Sequence, residues 1–173
     1  MNSPVQIKCA VRGERLPAIP ERLPEVYFRV GVDLNPINVR DAEASLWLRA
    51  FVWPEHEERA ELLRRAIEVA QQAPPRLIAG DAVDVLPGIL AEVPKDTTLC
   101  IFRTFTALPQ NAREQLSILF SQYGVKRDLF LVSTRPHSRI ESQLRLVSFE
   151  NGVKIERLLA HCQNHGEWVE WLD

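Results

Sequence analysis

Residues 73–93, APPRLIAGDAVDVLPGILAEV, read as a strand, a tight turn and a helix in immediate succession. Ala73-Pro74-Pro75 stops whatever precedes it, because proline lacks a backbone N–H and its ring clashes with the preceding helical turn. Arg76 to Ala79 is a short apolar run suited to a strand. Gly80-Asp81-Ala82 turns the chain, and DVLPGILAEV then spaces its apolar residues as a helix does. A strand joined to a helix by a few residues is the building unit of an α/β fold, so the flanking sequence is read for more such units.

Upstream, Val26 to Leu34 (VYFRVGVDL) is β-rich and mostly apolar, as a strand covered on both faces would be, and it runs into Asn35-Pro36. Asp33 therefore belongs near a strand's carboxyl end. Asp41 suits the N-cap of a helix carrying Ala44, Leu46, Trp47, Leu48 and Phe51. Pro54 suits the first turn of a second helix, Glu55 to about Gln72, whose broad apolar face holds Leu62, Leu63, Ala66, Ile67, Val69 and Ala70. Trp47 and Trp53 read as core anchors of these helices, with the floor of a pocket beside Asp33 as the other reading. Nearer the start, Val5 to Val11 alternates apolar and polar residues like a half-buried strand, and Leu16 to Pro24, with three prolines, is an extended connector.

Downstream, Thr98 to Arg103 (TLCIFR) is a buried strand, and Asn111 to Tyr123 is a helix with Leu116, Ile118, Leu119 and Phe120 inward. Gly124 suits the left-handed residue that ends such a helix. Leu129 to Ser133 is a further strand. Gln143 to Glu150 and Val153 to Ala160 are joined by Asn151-Gly152, the strongest short-range signal for a hairpin. These elements predict one α/β domain with a mostly parallel sheet, helices on both faces and a C-terminal antiparallel hairpin. Within it, 1–24 form the N-terminal strand and connector, 25–135 the alternating core, and 143–173 the hairpin and tail.

The 173 residues suffice for one core, and the formal net charge of -2 offers no general attraction to nucleic acid or an anionic membrane. Neither partner is expected. The start of the chain has no apolar leader, and no apolar run approaches the roughly 20 residues needed to cross a bilayer. Cys9, Cys100 and Cys162 are odd in number and widely spaced, which fits a reducing cytoplasm better than a disulfide framework.

The glycines stand at 13, 31, 80, 88, 124, 152 and 166, too scattered for GxGxxG or GxxxxGK, so no clustered-glycine phosphate loop is present. Asp33 and Asp81 are better clues, since ligands of open parallel sheets bind beyond the strands' carboxyl ends. Two carboxylates there can accept bonds from ribose hydroxyls or an adenine amino group; alternatively Asp81 caps its helix and Asp33 accepts turn amides. His161, Cys162 and His165 (HCQNH) have no fourth ligand nearby, so no metal site is assigned. Ser133, Ser138 and Ser142 lack a GxSxG context. Lys126, Arg127, Arg135 and Arg139 bracket the strand Leu129 to Ser133, either as a solvated basic loop or around an anionic ligand.

GVDLNPINV (31–39), WLRAFVWPEHEERAELLRRAIEVA (47–70), GDAVDVLP (80–87) and WVEWL (168–172) together closely resemble an uncharacterised bacterial family, a domain of unknown function ascribed a methyltransferase-like fold. The resemblance spans nearly the whole chain. It implies a Rossmann-like, methyltransferase-type sheet that lacks here the first strand and the Gly-rich loop, of the ASAGLNL type, found in longer members with a helical N-terminal region. It further implies S-adenosylmethionine as cofactor, with Asp33 near the ribose, Asp81 near the adenine and Asn35 and Ala82 also cofactor-binding; Trp53, Arg103 and Thr104 are candidates to line a pocket. Where the family often has VFHS or VFHT, this chain has Ile101-Phe102-Arg103-Thr104, and arginine cannot serve as a general base at neutral pH.

The resemblance thus implies a methyltransferase-like portion that completes its cofactor site only with an N-terminal partner or extension. A non-catalytic binding or interaction module is the alternative, and an enzyme working at an unrecognised site is a third reading. A central sheet position left empty would expose unpaired backbone groups, so the expected partner is such a segment or a second copy of the chain in a homodimer.

Overall fold

The computed structural model describes residues 3–104 and 108–173. In chain order the elements are β1 (Ala10–Arg12), β2 (Val30–Asp33), α1 (Ala42–Ala50), α2 (Glu57–Gln72), β3 (Arg76–Ala79), α3 (Ala82–Glu92), β4 (Leu99–Arg103), α4 (Gln110–Gly124), β5 (Leu129–Pro136), β6 (Glu141–Glu150), β7 (Val153–Gln163) and β8 (Trp168–Trp171). The chain forms two compact units, one of 1–7 with 26–85 and the other of 8–25 with 86–173.

In the first unit β2 and β3 form a two-stranded parallel sheet, with Val30 opposite Arg76 and Asp33 opposite Ala79. Helices α1 and α2 form the connection that a parallel pair requires. Asp41 begins α1 as the sequence predicts, its carboxylate accepting the amides of Glu43 at 2.9 Å and Ala44 at 3.0 Å. Helix α2 starts two residues later than expected, leaving Pro54 outside it, and it buries Ile67. Across the connection, Arg40 donates to the Gln71 carbonyl at the end of α2.

In the second unit six strands follow the order β1-β8-β7-β6-β5-β4. The pairs β8–β7, β7–β6 and β6–β5 are antiparallel, while β4–β5 and β1–β8 are parallel. Leu99, Leu129 and Phe149 fall in register across three strands and so share one face. Against that face pack Leu90 and Val93, from and just after α3, and Leu119, Phe120 and Tyr123 of α4. Leu129 is fully buried. The Asn151-Gly152 turn joins β6 to β7 with φ of 52° and 78°, the paired positive angles of a primed two-residue hairpin.

The mostly parallel, methyltransferase-type Rossmann sheet with helices on both faces is thereby corrected. The larger sheet is mixed and mainly antiparallel, the parallel pair β2–β3 is a separate sheet, and in the larger unit α3 and α4 contribute to a core on one face. The physical reason lies in the last third of the chain. Its strands are long and joined by short turns, and such turns admit antiparallel pairing alone. Reading Leu129 to Ser133 as another strand of a parallel series missed its extension to Pro136, all of it paired with β6.

Other elements differ in extent. The expected strand Val5 to Val11 is reduced to β1, which pairs in parallel with β8, a strand within the expected tail. The expected strand Val26 to Leu34 is paired only over Val30–Asp33. Gly124 is the last residue of α4, without a left-handed φ, and lies directly against Phe149. The indoles assigned to the core are exposed, Trp47 at 63% and Trp53 at 71%.

Candidate functional site

At the carboxyl edge of β2–β3, a backbone amide of the turn that follows each strand holds an aspartate. Asp33 is the last residue of β2, and its carbonyl accepts the Gly80 amide at 3.0 Å, which locks the turn after β3 to the turn after β2. Asp33 Oδ1 accepts the Asn35 amide at 2.8 Å. One residue beyond Gly80, Asp81 Oδ1 accepts the Val83 amide at 2.8 Å, and its carbonyl accepts the amides of Asp84 and Val85. Asp81 thus stands at the start of α3 with the bond of a helix N-cap.

Both carboxylates are exposed, and each engages a backbone amide through one oxygen only. Among the described residues no side-chain donor occupies the second oxygen of either, so the pair presents two acceptors to a ligand. Ala82, as the first residue of α3, presents an amide that its own helix cannot satisfy. Pro36, next in the chain after Asn35, begins an open and largely apolar hollow of about 320 Å³ shared with Ile37, Val39, Ala70 and Leu77.

The structure therefore gathers Asp33, Asn35, Asp81 and Ala82 in the first unit. Trp53 belongs to the same unit, between α1 and α2. Arg103 ends β4 and Thr104 follows it, both in the second unit. Of the basic residues around β5, Arg127 donates to the Val93 and Thr97 carbonyls and Lys126 lies 5.5 Å from the Tyr123 ring centroid. Arg127 is thus committed to holding the end of α3 rather than facing an anion.

His161 faces His137 with ring centroids 5.2 Å apart, and Cys162 Sγ lies 3.5 Å from the Ser142 carbonyl oxygen. Among the described residues no group of three His, Cys, Asp or Glu is placed to hold a metal ion. Among them, too, no helix is long and apolar enough to cross a membrane.

The residues present fit part of S-adenosylmethionine. Two carboxylates suit ribose hydroxyls and an exocyclic amine, whereas the scattered glycines provide no loop to receive the amino-acid portion. No curated protein and no solved structure matches this chain. The sequence matches a bacterial family over residues 1–171, and the chain belongs to that family, described as "Uncharacterized protein conserved in bacteria (DUF2332)".

Proposed function

We propose that the Asp33–Asp81 edge receives the nucleoside part of a ligand of the S-adenosylmethionine type, and that a partner segment or N-terminal extension must complete the site before any methyl transfer. The observation that carries this reading is that two turns tied by the Gly80 amide each present an aspartate with one oxygen held by a backbone amide and the other open. Fixed acceptors of this kind recognise a diol at little entropic cost, because the turns have already ordered them. Asn35 would add a side-chain donor, Ala82 a backbone donor, and the hollow starting at Pro36 an apolar surface for a planar base. A cytoplasmic setting accompanies this reading, on the strength of three free thiols.

A specific observation favours a second reading, a non-catalytic interaction module. Leu46, Trp47 and Phe51 leave a large apolar surface on and just after α1, and surface of that kind commonly marks a protein contact.

Titration of the isotopically labelled chain with adenosine, followed by NMR, tests the nucleoside reading. Shifts confined to 33–35 and 81–83, abolished in Asp33→Asn and Asp81→Asn, are expected, with S-adenosylmethionine binding no more tightly than adenosine. Absence of such shifts overturns the nucleoside site and leaves the interaction module. A tight one-to-one complex with S-adenosylmethionine overturns the need for a partner.

A further inference from the structure

The carboxyl ends of β4 and β5 carry a concentration of positive charge that the reading above does not use. Arg103 ends β4 directly opposite Ser133, and Arg145 of β6 lies opposite Ser133 from the other side. Paired residues in a sheet share a face, and so do residues two apart on one strand, which adds Arg135. This is also the face of Leu99, Leu129 and Phe149, against which the last turns of α4 pack. Helix α4 therefore runs back along the strands, and its first turns, with Arg113, lie toward the strands' carboxyl ends. Four guanidiniums from three strands and one helix converge there.

Their compensation is poor. Glu156 is the one carboxylate paired with this group among the described residues, and it is shared: Arg145 Nε lies 3.3 Å from its Oε1 and Arg135 Nη2 at 3.9 Å. Arg145 also spends a donor on Gln143. Arg103 and Arg113 have no acid partner among the described residues. Burial, followed by the repulsion of Arg135 and Arg113, disfavours the charged form of Arg103.

A second observation is independent of the charge. Ser133, on the same face and between Arg103 and Arg145, is only 9% exposed, and its hydroxyl makes no hydrogen bond among the described residues. A hydroxyl without a protein partner at this end of the sheet is free to donate to a ligand. Among the described residues the first turn of α4 has no acidic residue and no side-chain cap, which favours an anion there.

We propose that Arg103, Arg113 and Arg135, with the Ser133 hydroxyl, form a binding site for the phosphate group of a small molecule. Phosphate suits the arrangement better than a carboxylate does. It carries up to two charges and presents oxygens in several directions, matching cations that approach from two strands and a helix. The net charge of -2 and the location at one end of a sheet favour a small ligand over a nucleic acid.

Calorimetry and thermal melting of the full chain with inorganic phosphate and with pyrophosphate, against chloride at equal ionic strength, test the site. Pyrophosphate is expected to raise the melting midpoint by several degrees. Arg103→Gln and Arg113→Gln should each weaken its binding by about tenfold or more, the loss expected for a charge-assisted hydrogen bond. Arg59→Gln on α2 should bind as the wild type does. Without ligand, Arg103→Gln should melt at or above the wild-type temperature, since it removes repulsion, whereas a merely structural arginine would lower it. Should Arg103→Gln fail to fold, Arg113→Gln, at an exposed position, carries the test alone. Phosphate and pyrophosphate effects no larger than that of chloride, or unchanged binding by the variants, overturn the proposal. So does preference for citrate, or tight oligonucleotide binding with which pyrophosphate does not compete.

Discussion

Replacing Gly124 by alanine sets two effects of opposite sign against each other. Gly124 closes α4 in a helical conformation, so an alanine there should gain about 1 kcal/mol of helix propensity. The added β-carbon, however, would lie 2.3 Å from Phe149 Cδ1 and Cγ and 2.6 Å from Phe149 Cβ. Rotating the Phe149 ring relieves the first two contacts but not the third, because Cβ is attached to the backbone of β6. Phe149 is also 4% exposed and packed among Leu90, Val93, Leu99 and Leu129, so it has little space to enter. Overpacking of this kind costs about 1–3 kcal/mol, and the immobile Cβ puts this case at the upper end. The net loss is then about 2 kcal/mol, or about 4–8 °C in Tm for a chain of this size. Urea unfolding followed by far-ultraviolet circular dichroism measures it. Adding Phe149→Leu to the alanine variant should recover part of the loss, giving a coupling energy that two independent sites would not show. An alanine variant as stable as the wild type would refute the claim that helix and sheet touch at this glycine.

Asp41→Ala should cost about 1 kcal/mol, by releasing the amides of Glu43 and Ala44 at the start of α1, and a urea titration would detect it. Gly152→Ala should cost about 1 kcal/mol through backbone strain alone, since φ is 78° and nothing crowds its β-carbon position; Asn151→Gly should be nearly neutral in the same assay. Hydrogen bonds from Arg64 and then Arg65 hold Glu61 down to about 2, from an ordinary 4.5. Because the folded-state value is the lower one, this stabilisation is complete above pH 4.5 and fades as pH falls toward 2. An acid melting series should therefore be flatter in that window for Glu61→Gln, and 1 M salt should shrink the difference.

How far the sequence could be read depended on the range of the forces involved. Asp41 as a cap, Asn151-Gly152 as a primed turn, and the strand–turn–helix of 76–92 are settled by hydrogen bonds and torsions within a few residues, and each stands where the sequence placed it. That Asp33 and Asp81 each stand where a strand ends is legible in the sequence, whereas the Gly80 amide bound to the Asp33 carbonyl, which ties the two turns together, is not. The direction in which strands pair is another matter. It depends on which edges meet, and nothing local told β8 to accept β1 in parallel or β5 to turn from β4 toward β6. Trp47 and Trp53 were misplaced for a related reason, since an apolar side chain records a tendency to be covered and not the surface that covers it. The arginine cluster was least legible of all: Arg103, Arg113, Arg135 and Arg145 span 43 positions and look ordinary one by one. Register across three strands and the return of α4 bring them around Ser133, and like charges acquire chemical meaning only once the fold forces them together.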